Sequence, residues 1–185
     1  MLSYEIDIAG MKRKLPLCRI SDDVYIGAFI MFGDVELTIH CAKKLLEIAP
    51  DYDYLIAPEA KGIPLLYEMA RQAGADKYFL ARKGPKLYMS GVFEAEVNSI
   101  TTARTQKLCI DIRDAEMMKG KRILIIDDVI STGESLKVME SLVEKAGGVV
   151  AGKMAVLAEG IAVLRDDISY LAHLPLFNPD GSILN

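Results

Sequence analysis

The chain has 185 residues and a formal net charge of −4, with 51% hydrophobic and 26% charged residues. These proportions are ordinary for one folded domain, which at this length buries about 70% of its unfolded surface. The acidic balance argues against nucleic-acid binding, which requires clustered positive charge. No apolar run approaches the roughly 20 residues that span a bilayer, and the N-terminal segment does not resemble a signal peptide. We therefore expect a cytoplasmic protein without membrane or nucleic-acid partners.

The cysteines and histidines suggest no chemistry of their own. Cys18, Cys41 and Cys109 are odd in number and widely spaced. This spacing fits neither a disulfide framework nor a zinc site, so we expect three buried, reduced thiols. The two histidines, His40 and His173, lie far apart in the sequence and are assigned no role.

Short apolar runs alternate along the chain with segments of helical periodicity, which predicts an α/β fold with a largely parallel central sheet flanked by helices. No linker or repeat divides the chain, so we expect a single domain over residues 1–185. In chain order, helices are predicted at residues 34–48, 62–73 and about 136–146, and strands at residues 54–57, 77–81, 122–127 and 149–158. Ligands of such sheets bind beyond the carboxyl ends of the strands.

The strand at residues 122–127 leads into the most informative segment of the chain. An acidic pair, Asp127 and Asp128, is followed by a loop rich in small and hydroxyl residues that runs into a predicted helix: Val129, Ile130, Ser131, Thr132, Gly133, Glu134 and Ser135. The N–H groups of such a loop and the start of a helix favour anions, and glycine lets the backbone approach a phosphate closely. The carboxylates cannot bind that phosphate, so they are expected to face hydroxyl groups or hydrated magnesium. A phosphorylated sugar carrying a metal-bound pyrophosphate meets both demands.

This segment resembles the signature with which type I phosphoribosyltransferases bind 5-phosphoribosyl-1-pyrophosphate (PRPP). The resemblance implies that Asp127 and Asp128 contact the ribose hydroxyls and act in catalysis, while residues 131–135 hold the 5′-phosphate. It also implies Mg²⁺ as cofactor, held mainly by PRPP and not by protein ligands. Two other interpretations are open: Ser131 and Glu134 form a helix-capping pattern, and receiver-like α/β domains also carry acidic pairs at strand ends.

Two further segments occur in the order that this family shows. The first is a loop that the resemblance places at the pyrophosphate: Glu59, Ala60, Lys61 and Gly62. Lys61 stands where purine-type members often have arginine, which keeps the charge but loses the bidentate fork, and a plain turn would also explain the loop. The second segment contains Arg82, Lys83 and Lys86, which the resemblance places near the pyrophosphate, whereas a solvated basic surface is the alternative.

The resemblance also implies a small hood at about residues 1–33 and 160–185 and a mobile lid at about residues 89–104. The lid segment shows no sustained periodicity. In the hood, Phe29 is assigned to base binding, although core packing would also explain the apolar run at residues 28–32.

The implied activity is purine salvage by a PRPP-dependent pentosyltransferase, which transfers the phosphoribosyl group to a purine and releases pyrophosphate. Adenine is slightly favoured over xanthine. Residues 99–104 lack the acidic residue usual in adenine enzymes, whereas Met31 stands where xanthine enzymes have a polar residue. A PRPP-sensing regulator without catalytic activity is a further alternative. Since the family is commonly dimeric, a homodimer is expected.

Overall fold

The computed structural model describes residues 2–98 and 105–184. Within these residues the central sheet has five strands: β4 (Tyr54–Pro58), β5 (Phe79–Ala81), β8 (Arg122–Ile130), β9 (Val149–Glu159) and β10 (Ser169–Leu174). They lie in the order β10-β9-β8-β4-β5, and all neighbouring pairs are parallel. The predicted α/β fold with a largely parallel sheet is confirmed. The strand order reverses between β4 and β8, so a ligand crevice is expected beyond their carboxyl ends.

The described residues form four α-helices: α1 (Val35–Ile48), α2 (Ile63–Gln72), α3 (Ile112–Met118) and α4 (Glu134–Lys145). The Asp34 side chain caps α1 by accepting a hydrogen bond from Leu37 N–H. The three predicted helices are confirmed to within two residues at each end, whereas the short α3 was not predicted. In the described part of the chain, no helix combines the length and the apolar character that crossing a membrane requires.

Strand β8 supplies both hydrophobic clusters, which lie on opposite faces of the sheet. Leu124 and Ile126 pack with α1 and α2, whereas Ile123 and Ile125 pack with α3 and α4. Successive side chains of a strand point to opposite faces, so this aliphatic run fills both clusters. All four side chains are at most 1% exposed. The clusters therefore fix the position of β8 and of the residues at its end.

A second, antiparallel sheet is formed by β1 (Ser3–Ile8), β2 (Met11–Arg19), β3 (Tyr25–Gly27) and β11 (Leu176–Phe177), in that order. It lies within the bounds predicted for the hood. Those bounds also include β10, which pairs with β9 and belongs to the central sheet. Arg13 joins this second sheet to α1 through ion pairs with Asp34 at 2.7 Å and Glu36 at 2.9 Å.

The segment predicted as a lid without periodic structure contains a regular strand. β6 (Val92–Asn98) pairs antiparallel with β7 (Thr105–Asp111), while residues 99–104 lie outside the described residues. The sequence carries the signal for β6, because apolar Phe93 and Ala95 alternate with Glu94 and Glu96. The statement that this segment lacks sustained periodicity was therefore wrong for residues 92–98.

Three smaller expectations need correction. β8 continues past residue 127, where the prediction ended it, because β9 pairs with it as far as Ile130. Asp127 and Asp128 therefore both lie inside a paired strand. β5 begins at Phe79, two residues later than predicted. Cys18 is exposed, whereas Cys41 and Cys109 are buried. Cys18 lies on the outward face of β2, whose inward residues 15 and 17 are buried leucines.

Replacing Ile125 tests the role of β8 in the core. Ile125→Ala leaves a cavity in the cluster beneath α4, and we expect the free energy of unfolding to fall by about 2–5 kcal/mol. Urea unfolding followed by circular dichroism measures this. Ile161→Ala is the control, since Ile161 is 74% exposed, and its effect should stay within about 0.5 kcal/mol. Equal losses in the two variants would contradict the packing described.

Candidate active site

A cavity of about 600 Å³ lies beyond the carboxyl ends of β4 and β8. Seven residues predicted for the site line it: Glu59, Ala60, Lys61, Lys83, Asp127, Asp128 and Ser135. They come from the β4–α2 loop, the end of β5, the end of β8 and the start of α4. Because these segments follow neighbouring parallel strands or pack beside them, the sheet brings the three sequence motifs to one edge.

The acidic pair on β8 is held in an unfavourable environment. Asp128 is 5% exposed, and no described residue donates a hydrogen bond to its Oδ2. Asp127 Oδ1 accepts a hydrogen bond from Asp128 N–H at 2.9 Å. Burial and the neighbouring charge of Asp128 raise the pKa of the Asp127 carboxyl well above its ordinary value. A buried carboxylate oxygen without a partner is costly, and a ligand that offers hydroxyl donors or a cation would offset that cost.

The loop between β8 and α4 has the form of an anion site. α4 begins at Glu134, and Gly133 occupies the N-cap position without a capping side chain among the described residues. Ser131 is therefore not the N-cap, and the capping pattern inferred from sequence is not formed. A small cavity of about 60 Å³ is enclosed by Asp127 and by the following predicted residues: Val129, Ile130, Ser131, Thr132, Gly133, Glu134 and Ser135. The N–H groups of the first helical turn are directed towards the loop, where they favour an anion.

Gly133 is required by the geometry of this loop. Its φ is +78°, a left-handed conformation that side chains disfavour. A Cβ atom there would lie 2.5 Å from Nη1 of Arg165. Arg165 is itself held by two hydrogen bonds to Asp167, at 2.9 Å and 2.7 Å. The guanidinium of Arg165 thus packs against the turn at Gly133. No sequence motif near either residue indicates this contact.

Glu59 has a structural part in the site. Its carboxylate accepts hydrogen bonds from Lys83 N–H at 2.8 Å and from Arg82 Nη1 at 3.0 Å. Partial burial alone would raise the pKa of Glu59, but these bonds and the nearby charges outweigh it and lower that pKa.

The backbone of the loop after β4 also has special features. The peptide bond between Glu59 and Ala60 is cis. Gly62 is buried beside the acidic pair, where an added Cβ would lie 3.5 Å from Asp127 Oδ1. The loop is thereby fixed between β5 and β8.

The predicted basic residues do not all face the cavity. Lys61 and Lys83 line it. Arg82 is engaged in the ion pair with Glu59 and lies 5.7 Å from the centre of the Tyr88 ring. Lys86 is exposed in the turn that follows, outside the residues lining the cavity. The basic segment is therefore divided between a structural arginine and a lysine directed at the site.

Sequence reasoning missed the contribution of β7. Gln106, Lys107 and Leu108 line the same cavity. Gln106 Nε2 donates to Glu134 at 3.1 Å, and its Oε1 lies 3.4 Å from the Ser135 hydroxyl. The hairpin is thus hydrogen-bonded to the start of α4. A single glutamine carries no recognisable motif, so only the tertiary contact identifies it.

A second cavity, of about 290 Å³, lies between the second sheet and the β8–α4 loop. It shares Lys61 and Asp128 with the first cavity, so the two adjoin. Phe29 lines it and also packs in the core at 4% exposure, so core packing is confirmed and base binding stays a prediction. Glu159, the last residue of β9, also lines this cavity and was not predicted. Burial raises the pKa of its carboxyl, an effect that Lys61 opposes and Asp128 reinforces.

Comparison with known proteins identifies the family. The model described as "Phosphoribosyl transferase domain" matches residues 36–172. The chain therefore belongs to the phosphoribosyl transferase domain family, and the resemblance noted in the sequence is confirmed.

Relatives of two kinds match by sequence. An adenine phosphoribosyltransferase of Thermotoga petrophila is 36% identical over 109 residues, covering 59% of this chain and 60% of the relative. A xanthine phosphoribosyltransferase of Lactobacillus acidophilus is 31% identical over 116 residues, covering 63% and 59%. The chain thus matches about three fifths of the length of each of these relatives.

Solved structures agree in fold. An adenine phosphoribosyltransferase from Thermoanaerobacter pseudethanolicus superposes with a TM-score of 0.62 at 23% identity, covering 93% of this chain and 95% of that one. The Trypanosoma brucei adenine phosphoribosyltransferase, in complex with AMP, pyrophosphate and ribose-5-phosphate, gives 0.61 at 15% identity, covering 78% and 67%. At these identities the likeness establishes the fold alone.

Alanine at position 133 tests the loop geometry. Gly133→Ala should destabilise the protein by about 1–2 kcal/mol through its left-handed backbone, with a further loss because Arg165 must leave its place. Gly74→Ala is the matched control, since Gly74 has a φ of +67° and open space around its Cβ position. Urea unfolding of both variants, and of Gly133→Ala combined with Arg165→Ala, isolates the contact. Equal losses at the two glycines would contradict it.

Asparagine at position 127 tests whether the ionised Asp127 carboxylate destabilises the fold. The pKa of Asp127 is higher in the folded protein than in the unfolded chain, so ionisation of this carboxyl destabilises the fold. Its contribution to stability is fully present below the unfolded pKa and is lost as pH rises through the native pKa. Without ligand, Asp127→Asn should therefore be more stable than the parent protein at about pH 8, with the gain shrinking towards about pH 4. Urea midpoints across this range measure it, with exposed Asp76→Asn as control. A gain that grows as pH falls would contradict the pKa shift.

Proposed function

We propose that this chain is a purine phosphoribosyltransferase, with adenine favoured, that takes the phosphoribosyl group from PRPP and releases pyrophosphate. The observation that carries the proposal is the buried Asp128 Oδ2, which has no hydrogen-bond partner among the described residues. Asp128 lines one cavity with Asp127, Lys61 and Lys83, and the loop that turns at Gly133 lies beside it. Relatives named adenine phosphoribosyltransferase support the choice of substrate.

The three chemical parts of PRPP find complementary groups. The acidic pair would accept hydrogen bonds from the ribose hydroxyls, which supplies partners for Asp128 Oδ2. The loop at residues 131–135 and the first turn of α4 would bind the 5′-phosphate. Lys61 and Lys83, which line the same cavity, would face the pyrophosphate. The ligands named for the Trypanosoma brucei enzyme, ribose-5-phosphate and pyrophosphate, are these same two halves.

The reaction exchanges one bond at C1 of the ribose for another. The bond from C1 to the pyrophosphate oxygen breaks, and its electron pair leaves with the pyrophosphate. A base nitrogen then bonds to C1, and its proton passes to the released pyrophosphate or to water. Lys61 and Lys83 would stabilise the charge that develops on the leaving group, while Asp127 and Asp128 keep the sugar in place. The same carboxylates would stabilise the positive character of the ribose in the transition state.

Magnesium fits this donor set. In the described residues, no three His, Cys, Asp or Glu side chains are grouped as a protein metal site. Mg²⁺ is commonly bound by phosphates, several waters and one or two carboxylates, and the Asp128 oxygen could accept from such a water. The ion when bound would neutralise charge on the pyrophosphate. The side chains facing it would be the acidic pair.

The base would occupy the second cavity, between Phe29 and the β8–α4 loop. The alternative substrate, xanthine, is supported by the xanthine phosphoribosyltransferases among the relatives. The residues at 99–104, on which part of the sequence comparison between these bases rested, lie outside the described residues. We further propose a cytoplasmic homodimer, as is common in the family, with the exposed Leu87 and Tyr88 beside the basic segment as candidate contact residues.

Transfer to a panel of bases tests the proposal. The protein is incubated with PRPP, Mg²⁺ and adenine, hypoxanthine, guanine or xanthine, and pyrophosphate release is measured. Release with adenine above the others supports the proposal, and release with xanthine alone favours the alternative. Tight PRPP binding without release under any condition would indicate a PRPP-sensing regulator and contradict the proposed activity.

Asparagine at position 128 tests the role of the acidic pair. Asp128→Asn keeps the shape of the side chain but loses a charged acceptor, so turnover at saturating PRPP should fall at least about tenfold. Thermal unfolding should show that the fold survives. The control is Asp76→Asn, at an exposed position, which should keep parental turnover. Parental turnover in Asp128→Asn would contradict the assignment.

A further inference from the structure

We propose that Glu159 selects the base: its carboxylate accepts a hydrogen bond from an amino group of the purine, so that the site takes 6-aminopurines in preference to 6-oxopurines. This inference rests on the proposed function and extends it to a residue that neither the motifs nor the acidic pair identify.

The position of Glu159 places it at the base and not at the sugar. It ends β9 and lines the second cavity, together with Lys61 and Asp128, which adjoin the phosphosugar side. Ser131, the remaining polar side chain of this lining, belongs to the phosphate loop. The rest of the lining is glycine or apolar: Ile26, Gly27, Ala28, Phe29, Ile30 and Val129. Among the described residues, Glu159 is therefore the polar side chain left to recognise the edge of a base.

The Glu159 carboxylate has capacity for a ligand. Among the described residues, none forms a hydrogen bond or an ion pair with it, although it is partly buried. Lys61 is near enough to oppose the rise in its pKa that burial causes. By contrast, Glu59 and Asp111, which are also shielded from solvent, form ion pairs with Arg82 and Arg113. An unpaired polar group facing a cavity is the arrangement expected of a specificity residue.

A carboxylate discriminates between the two classes of purine by its lone pairs. An ionised carboxylate only accepts hydrogen bonds. The amino group of adenine donates one, whereas hypoxanthine and xanthine present a carbonyl oxygen at the same ring position, whose lone pairs face those of the carboxylate. A polar site that loses its partner rejects the mismatched ligand strongly, while apolar contacts distinguish such similar shapes only weakly. The lining offers mainly apolar contacts, so most of the discrimination falls to Glu159.

Substitution by glutamine tests this with little change of shape. The amide that Glu159→Gln introduces can donate as well as accept. The ratio of kcat/KM for adenine to that for hypoxanthine should therefore fall about tenfold or more, while the KM for PRPP stays within about twofold of the parent. Glu159→Asp, which keeps the carboxylate, should retain most of the preference. Glu116→Gln, on the exposed side of α3, is the matched control and should leave the ratio unchanged.

Binding of product provides a second measurement that does not depend on turnover. Calorimetry with AMP and IMP compares the two bases on an identical ribose phosphate. The parent protein should bind AMP more tightly, and Glu159→Gln should reduce that difference by a similar factor. This measurement also covers the case in which the variant binds PRPP but reacts slowly.

The outcomes separate this inference from the proposed function. Transfer by the parent with an unchanged adenine-to-hypoxanthine ratio in Glu159→Gln would overturn the role of Glu159 and leave the transferase intact. A parent protein that transfers to no base would overturn both. If Glu159→Gln lost affinity for PRPP and for both nucleotides equally, Glu159 would support the site as a whole, and the inference would be wrong.

Discussion

Two neighbouring carboxylates that follow the buried aliphatic run of β8 are the constraint around which this structure is arranged. Asp127 and Asp128 follow four aliphatic residues that fill the clusters on both faces of the sheet. The packing of those residues fixes the position of the pair at the edge of the cavity. Burial and mutual repulsion raise the pKa of Asp127, and Asp128 Oδ2 lacks a partner among the described residues. The core thus holds in place a charge pair that is unfavourable without a ligand, as expected where stability is given up for binding.

Some residues around the acidic pair face the cavity, and others support the segments that form it. Glu59 and Arg82 lie in segments that the motif assigns to pyrophosphate, yet they bond to each other and join β4 to β5. Their neighbours Lys61 and Lys83 reach the cavity instead. Arg165 has a comparable supporting place behind the β8–α4 loop, against Gly133. A motif in this protein is therefore a mixture of ligand-facing and supporting residues at successive positions.

The sequence predicted what is local and missed what depends on tertiary contacts. The acidic pair, the glycine turn and the helix after it follow one another along the chain, so their chemistry could be inferred without coordinates. Gln106 and Arg165 approach the same loop from distant parts of the chain, and neither has a neighbouring signal. β6 is a different case, because its alternating pattern is present in the sequence but was not recognised there. Cys18 shows the same effect of strand alternation, since its exposure follows from the face of β2 on which it lies.

The identity of the base is hard to infer from sequence, because the residues that would bind it come from distant parts of the chain. The half of the site that would hold the phosphosugar is built largely from one continuous motif on β8 and α4. The half that would hold the base combines residues 26–30 of the second sheet with the end of β9, which are joined only by folding. Its lining is mostly apolar and would accept purines of either class with similar contacts. Selectivity must then come from the few polar side chains that line this cavity. Among these, Glu159 is the one that we propose contacts the base, and no motif marks its position.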